Sequence, residues 1–302
     1  MKIFADRLVE SIRRVGNPCV AGLDPRVELM PAFIRSGRIG APRDVVRSII
    51  GDFHDLVLDA VAGLIPAVKP QLAFFEQYGI GGMEAYQHTI ASAKQRGFLV
   101  IADGKRNDIS STAEAYAKAF LGEETGFDAD SMTVTPYLGR DSLTPFVDLC
   151  AKNSRGLFVV LKTSNDGSRD FQDQILQSTG RPIYESVAAV IHELGQGLIG
   201  ESGYSSIGAV TGATFPDDAR RLRELMPQAF LLVPGYGAQG ADGRSAAVCF
   251  HANGLGAVVS SSRGITYDYG SPDVSRQEYA KIVREKTLRM IEDVTESIAV
   301  TD

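Results

Sequence analysis

Eight short apolar runs recur along this 302-residue chain, each followed by polar residues and then by a stretch with helical spacing. The runs cover 19–23, 65–68, 98–102, 130–134, 157–161, 207–210 and 230–233, and an eighth opens at Ala257. The run at 98–102, five residues without a charge, carries the mark of a strand buried on both faces. Between and after the runs, helical spacing fills 45–61, 83–95, 112–121, 143–152, 184–198, 217–225, 244–250 and 275–298. A further helix over 4–14 comes first, with Phe4, Leu8 and Ile12 on one face and Gly16 and Pro18 ending it. Regular alternation of this kind predicts a parallel sheet. Eight units in one chain of this length predict an α/β fold of the (β/α)8 TIM-barrel kind, a single domain over 1–302. A doubly wound open sheet is the alternative, because strand number alone does not force closure. Two connections are long, about 25–42 and 165–182, and long loops are commonly functional or mobile.

Composition narrows the function. Net charge is −6, so the chain carries no basic footprint for nucleic acid. No apolar run approaches the ~20 residues of a membrane span. The first residues are charged early and lack a signal-peptide core, which points to a cytoplasmic protein. Cys19, Cys150 and Cys249 are odd in number and scattered, as reduced buried thiols are. Neither a Cys-x-x-Cys nor a paired-His spacing occurs, so no metal site is expected. His54, His88, His192 and His251 all fall where helices are predicted, and packing or surface roles suit them.

Chemistry concentrates after the third run. Residues 98–102 are uncharged, and then Asp103, Lys105, Arg106 and Asp108 arrive within six positions. Ser110, Ser111 and Thr112 follow and are expected to cap a helix with Glu114 in its first turn. Asp103 and Lys105, two apart, share one side as long as the chain stays extended. Gly104 between them leaves room for a ligand or another chain. Other strands end similarly: Asp24 after the first, Lys69 after the second, Thr163 and Ser164 after the fifth, Arg263 after the eighth. In a barrel these ends converge on one face, which carries the active site.

The segment Gly235-Tyr236-Gly237-Ala238-Gln239-Gly240 matches Gly-x-Gly-x-x-Gly between a strand and a helix. Three features speak against a dinucleotide. The segment follows the seventh strand, Pro234 precedes it, and residues 255–262 hold no Asp or Glu for a ribose. Loops after the seventh and eighth strands of a barrel instead form phosphate sites, with glycines letting backbone N–H groups approach the anion. Arg263 fits a charge-assisted contact to one phosphate monoester.

Asp103-Gly104-Lys105-Arg106-Asn107-Asp108-Ile109 resembles the signature of the orotidine 5′-monophosphate decarboxylases, in their longer bacterial form. Leu23-Asp24-Pro25, Val68-Lys69-Pro70, Leu161-Lys162-Thr163-Ser164-Asn165, residues 234–240 and Ser262-Arg263-Gly264 extend the resemblance over nearly the whole chain. It implies decarboxylation of orotidine 5′-monophosphate to UMP and CO2, in pyrimidine biosynthesis, without a cofactor. It also implies roles. Lys105 protonates the product carbon and Asp103 faces the substrate carboxylate, with Lys69 and Asp108 completing an alternating charge network. Asp24 and Lys69 contact the ribose, as Thr112 does. Ser164, or Thr163 beside it, meets the pyrimidine. Pro234, Gly235, Gln239, Ser262 and Arg263 hold the phosphate. Residues matching Asp108, Ile109 and Thr112 reach the neighbouring subunit's site, which implies a homodimer. The loops 166–181 and 234–242 are candidate lids. Two rivals remain: a metal-dependent sugar-phosphate decarboxylase or aldolase, and a catalytically silent protein that binds a phosphorylated ligand.

Overall fold

In the computed structural model, which describes residues 2–123, 126–212, 216–237 and 242–300, eight parallel strands close into a barrel in chain order. They are β1 (Cys19–Leu23), β2 (Ala67–Pro70), β3 (Leu99–Arg106), β4 (Ser131–Val134), β5 (Gly156–Lys162), β6 (Ser205–Thr211), β7 (Ala229–Pro234) and β8 (Ala257–Ser261). Closure is decided at β1, where Val20 pairs with Ala67 on one side and with Ser260 on the other. An open sheet is thereby excluded. The helices before β3 are α1 (Phe4–Val15), α2 (Ala32–Arg35), α3 (Pro42–Val61), α4 (Leu72–Glu76) and α5 (Gly79–Gln95). Then come α6 (Ser110–Leu121), α7 (Arg140–Asn153), α8 (Ile183–Gly195), α9 (Pro216–Leu225), α10 (Gly243–Ala247), α11 (Arg263–Thr266) and α12 (Arg276–Ala299).

Two apolar layers follow from the strand period of two. One fills the barrel with Val20, Ala67, Ile101, Phe158, Phe230, Leu232 and Val258. The other lies between strands and helices, where Val68, Val100, Leu157 and Leu231 meet Phe53, Phe75, Leu143 and Ile191. The helix predicted at the start of the chain plugs the barrel floor. Phe4 stands edge-on to Phe158 with ring centroids 6.0 Å apart. It sits so close over Gly156 that a Cβ there would fall 2.1 Å from its ring. Full burial of Phe4 and Leu8 contributes about 1.5–3 kcal/mol each. With α1 packed over the floor, the cavity that opens into the barrel from the strand C-termini lies at the opposite end.

Several sequence expectations change in detail. The helix expected over 184–198 is α8 followed by a 3-10 turn, Gln196–Leu198. His251 lies beyond α10 rather than in a helix, and its Nε2 is 2.8 Å from the Pro227 carbonyl. His54 is buried in α3 with Nδ1 3.0 Å from Thr89 Oγ1, and burial pushes its pKa down to about 3. The expected cap of α6 is not made by Ser110, Ser111 or Thr112. Ile109 is the N-cap, without a side-chain bond, and Glu114 lies past the first turn.

Candidate active site

A cavity of about 380 Å³ opens at the strand C-termini, lined by Asp24, Lys69, Asp103, Lys105 and Arg263 among others. Thr163, Ser164, Pro234, Gly235 and Ser262 also line it, so ten of the sequence-predicted residues converge as the barrel requires. A larger apolar cavity of about 620 Å³ lies beside α7 and α8. Its walls hold none of the charged network, which lines the smaller one.

Asp103 is the centre of the network and is only 4% exposed. Lys69 Nζ donates to its Oδ2 at 2.6 Å, and Lys105 Nζ donates to its Oδ1 at 2.6 Å. Burial alone would raise the Asp103 carboxyl, but the two ammonium groups, Lys69 foremost, hold it well below the usual carboxylate range. Lys69 is buried too. Burial works against its charge, yet Asp103 and Asp24 outweigh it and raise its pKa. The Asp103 carboxylate and the Lys69 ammonium are thus held in their charged forms.

Two residues of this network escaped the sequence reading. Gln71 Nε2 donates to Asp103 Oδ2 at 3.0 Å, and Thr133 Oγ1 donates to Asp103 Oδ1 at 2.9 Å. Gln71 stands two positions after Lys69, a spacing that carried a usable signal. Thr133 is a hydroxyl inside the apolar fourth run, which is a weaker one.

The geometry of Lys105 also departs from expectation. The chain does not stay extended: the β3–β4 register shifts between Ala102 and Arg106, and Lys105 has φ 44°. The two side chains meet through that irregularity. Gly104 does not face the ligand space. A Cβ there would meet Leu72 at 3.4 Å and Phe120 at 3.7 Å, so it backs onto the helix layer. Arg106 turns away as well, paired with Glu76 and lying 5.9 Å from the Tyr116 ring centroid.

Around the rim, tight approaches explain several glycines. A Cβ on Gly22 would fall 2.7 Å from Ser262 Cβ, so β1 and the chain after β8 close on each other only with glycine there. Asp24 Oδ1 and Ser262 Oγ are buried in the cavity wall without a hydrogen-bond partner among the described residues. Gly235 and Gly237 take φ 93° and 75°, conformations that favour glycine. Ser261 Oγ donates to the Tyr236 carbonyl at 3.1 Å, and the Tyr236 hydroxyl donates to Asp293 at 2.7 Å, which ties this turn to β8 and α12. Gln239 and residues 238–240 lie outside the described residues. Arg263 is exposed and has no ion-pair partner among the described residues.

The long fifth loop is fastened to the site. Lys162, 1% exposed, pairs with Asp173, and lies 3.6 Å from Asp218. Gln172 Oε1 accepts from the Thr163 N–H at 2.9 Å, and Gln172 Nε2 donates to the Thr163 hydroxyl at 2.8 Å. That hydroxyl donates in turn to Asn165 at 2.7 Å. Asp108, Ile109 and Thr112 do not line this chain's cavity. The Asp108 carboxylate accepts from the Ile109 N–H at 2.7 Å, and Ile109 is 54% exposed.

A closed barrel with an ion network and left-handed glycines at the C-terminal mouth of its strands is the arrangement of a barrel enzyme. Residues 50–277 match the profile of the orotidine 5′-phosphate decarboxylase / HUMPS family. An orotidine 5′-phosphate decarboxylase of Rhodopirellula baltica is 44% identical, covering 97% of this chain and 99% of that one. That of Caldicellulosiruptor saccharolyticus is 40% identical over 95% of this chain and 96% of its own. A solved structure from Streptomyces avermitilis superposes with a TM-score of 0.81 at 31% identity, covering 99% and 97% of the two chains. The chain belongs to the orotidine 5′-phosphate decarboxylase family.

Proposed function

We infer that this chain decarboxylates orotidine 5′-monophosphate to UMP and CO2, with Lys105 protonating the ring carbon that loses CO2. The reaction is that of a carbon–carbon lyase in pyrimidine biosynthesis. The observation that carries the residue assignment is Lys105, held 2.6 Å from a buried, ionised Asp103 at the mouth of the barrel. Loss of CO2 leaves a carbanion in the ring plane, which the ring π system cannot delocalise. A preorganised ammonium beside that carbon stabilises the developing charge and then supplies the proton. Asp103 next to the substrate carboxylate raises the energy of the bound ground state relative to the CO2-releasing transition state. Lys69 keeps Asp103 charged while this happens.

The remaining contacts follow from the cavity wall. The unpartnered Asp24 Oδ1 and the Lys69 ammonium suit ribose hydroxyls. The Thr163 hydroxyl is held by Asn165 and Gln172 beside Ser164, and this pair of neighbours, Ser164 foremost, suits the pyrimidine. Arg263, Ser262 and the Pro234–Gly235 backbone suit the phosphate, with Gln239 closing over it. Phosphate binding far from the reacting carbon then helps order the loops. No metal takes part in this scheme. Three free, buried thiols suit a cytoplasmic enzyme. The test is to mix purified protein with orotidine 5′-monophosphate and follow its ultraviolet absorbance, with and without EDTA. Turnover unaffected by EDTA is expected. Loss of activity on chelation favours the metal-dependent rival, and tight binding without turnover favours the silent binder.

The site is completed by a second copy of the chain. Asp108 and Ile109 lie off the chain's own cavity, and the exposed Ile109 is suited to contact with a partner. Lys105→Ala and Asp108→Ala are each expected to be inactive. Random exchange between them makes half the dimers mixed, each with one intact site, so about a quarter of wild-type activity should return. If subunits demonstrably exchange and nothing returns, Asp108 acts within its own chain.

A further inference from the structure

We propose that Thr133 is the positioning residue that sets Lys105 in place for proton transfer. This rests on the reading of Lys105 as the donor. Thr133 is in β4 and is fully buried. Its Oγ1 accepts the Lys105 backbone N–H at 3.0 Å and donates to Asp103 Oδ1 at 2.9 Å. The same Oδ1 receives the Lys105 ammonium at 2.6 Å. The two ends of Lys105 are therefore tied to one carboxylate oxygen, its side chain directly and its backbone through one hydroxyl.

The backbone explains why such a tie is needed. Ladder pairing between β3 and β4 joins Ala102 to Met132 and then Arg106 to Val134, skipping Thr133. Lys105 sits inside the skipped stretch at φ 44°, a left-handed conformation that a non-glycine residue takes only when its surroundings impose it. In the skipped stretch the Thr133 hydroxyl stands in for a main-chain acceptor. Because its single proton points to Asp103, its lone pair is free for the Lys105 N–H, and the circuit has one consistent sense. Thr133 does not line the cavity, so it acts through Lys105 and Asp103 rather than on substrate.

Three variants test this. Thr133→Val keeps the shape and removes the hydroxyl, Thr133→Ser keeps the hydroxyl, and Thr133→Ala serves if the valine variant does not fold. Loss of donor placement should lower kcat by ~10²-fold, the scale of a misplacement of about 1 Å. KM for orotidine 5′-monophosphate and affinity for UMP should stay within about threefold. Thr133→Ser should restore kcat to within about fivefold of wild type, since the hydroxyl alone makes both bonds. A valine variant with unchanged kcat, while Lys105→Ala is inactive, overturns the positioning role alone. A serine variant as slow as the valine variant, or UMP affinity lost in step with kcat, also overturns it by making Thr133 a packing residue. If Lys105→Ala itself keeps near-wild-type kcat, the donor assignment fails instead.

Discussion

Replacing Lys105 by alanine is expected to lower kcat by ~10⁴-fold or more while the protein stays folded. A positioned proton donor contributes ~10²–10⁴-fold, and stabilisation of charge as it develops contributes ~10²–10³-fold again. Both terms vanish together here, because one ammonium performs both tasks. The fold survives because Asp103 keeps its bonds from Lys69, Gln71 and Thr133. The Lys105 side chain is 42% exposed and Lys69 still compensates the buried Asp103, so loss of this ion pair should cost less than the ~3–5 kcal/mol of breaking a fully buried pair. Arg106→Ala is the control. Arg106 is the neighbouring cation, but its guanidinium is bound to Glu76 and to the Gly104 carbonyl, away from the cavity. Its removal should change kcat by less than about threefold, as for a surface pair. Single-turnover kinetics and thermal melting of both variants check this. A Lys105→Ala enzyme with kcat near wild type would falsify the donor assignment.

Arg263→Ala should weaken use of the phosphorylated substrate by a factor of ~30 to several thousand, equivalent to about 2–5 kcal/mol for a desolvated charge pair. The loss should fall mainly on KM. Orotidine, which has no phosphate, should turn over as slowly in the variant as in wild type. The competing idea is that Arg263 is a structural ion-pair partner, in which case both substrates and the melting temperature would suffer. Arg263 is exposed and carries no ion pair among the described residues, so its removal should shift stability by no more than ~0.5 kcal/mol. Measuring kcat/KM for both substrates decides the matter. Equal fractional losses would remove the phosphate assignment and reopen the dinucleotide reading of residues 235–240.

Arg263 and Lys105 also illustrate how unevenly the site was legible. Arg263 could be placed from its position after an apolar run, because a strand end is a local event. Lys105 follows the same signal and lines the same cavity, but by a geometry that an extended strand does not give. Its approach to Asp103 depends on a slipped register and a left-handed backbone, not on two residues facing one way along an extended strand. The helix cap failed similarly. Ile109 takes the N-cap position and Ser110, at φ 49°, is already the first residue of α6, so none of the three hydroxyl residues stands where a cap would.

What the sequence determines by itself is what short-range periodicity and polarity can encode. The eight strands, the helix that plugs the floor and the polar residue at each strand end are of that kind, since each depends on neighbours within one element. The tertiary structure decides everything that needs register between elements. Closure rests on Val20 meeting Ser260, across most of the chain. Gln71 and Thr133 reach Asp103 from 32 and 30 positions away. A one-residue slip of either strand would turn those side chains to the opposite face, and no pattern within a single strand specifies which residue of the next one lies opposite.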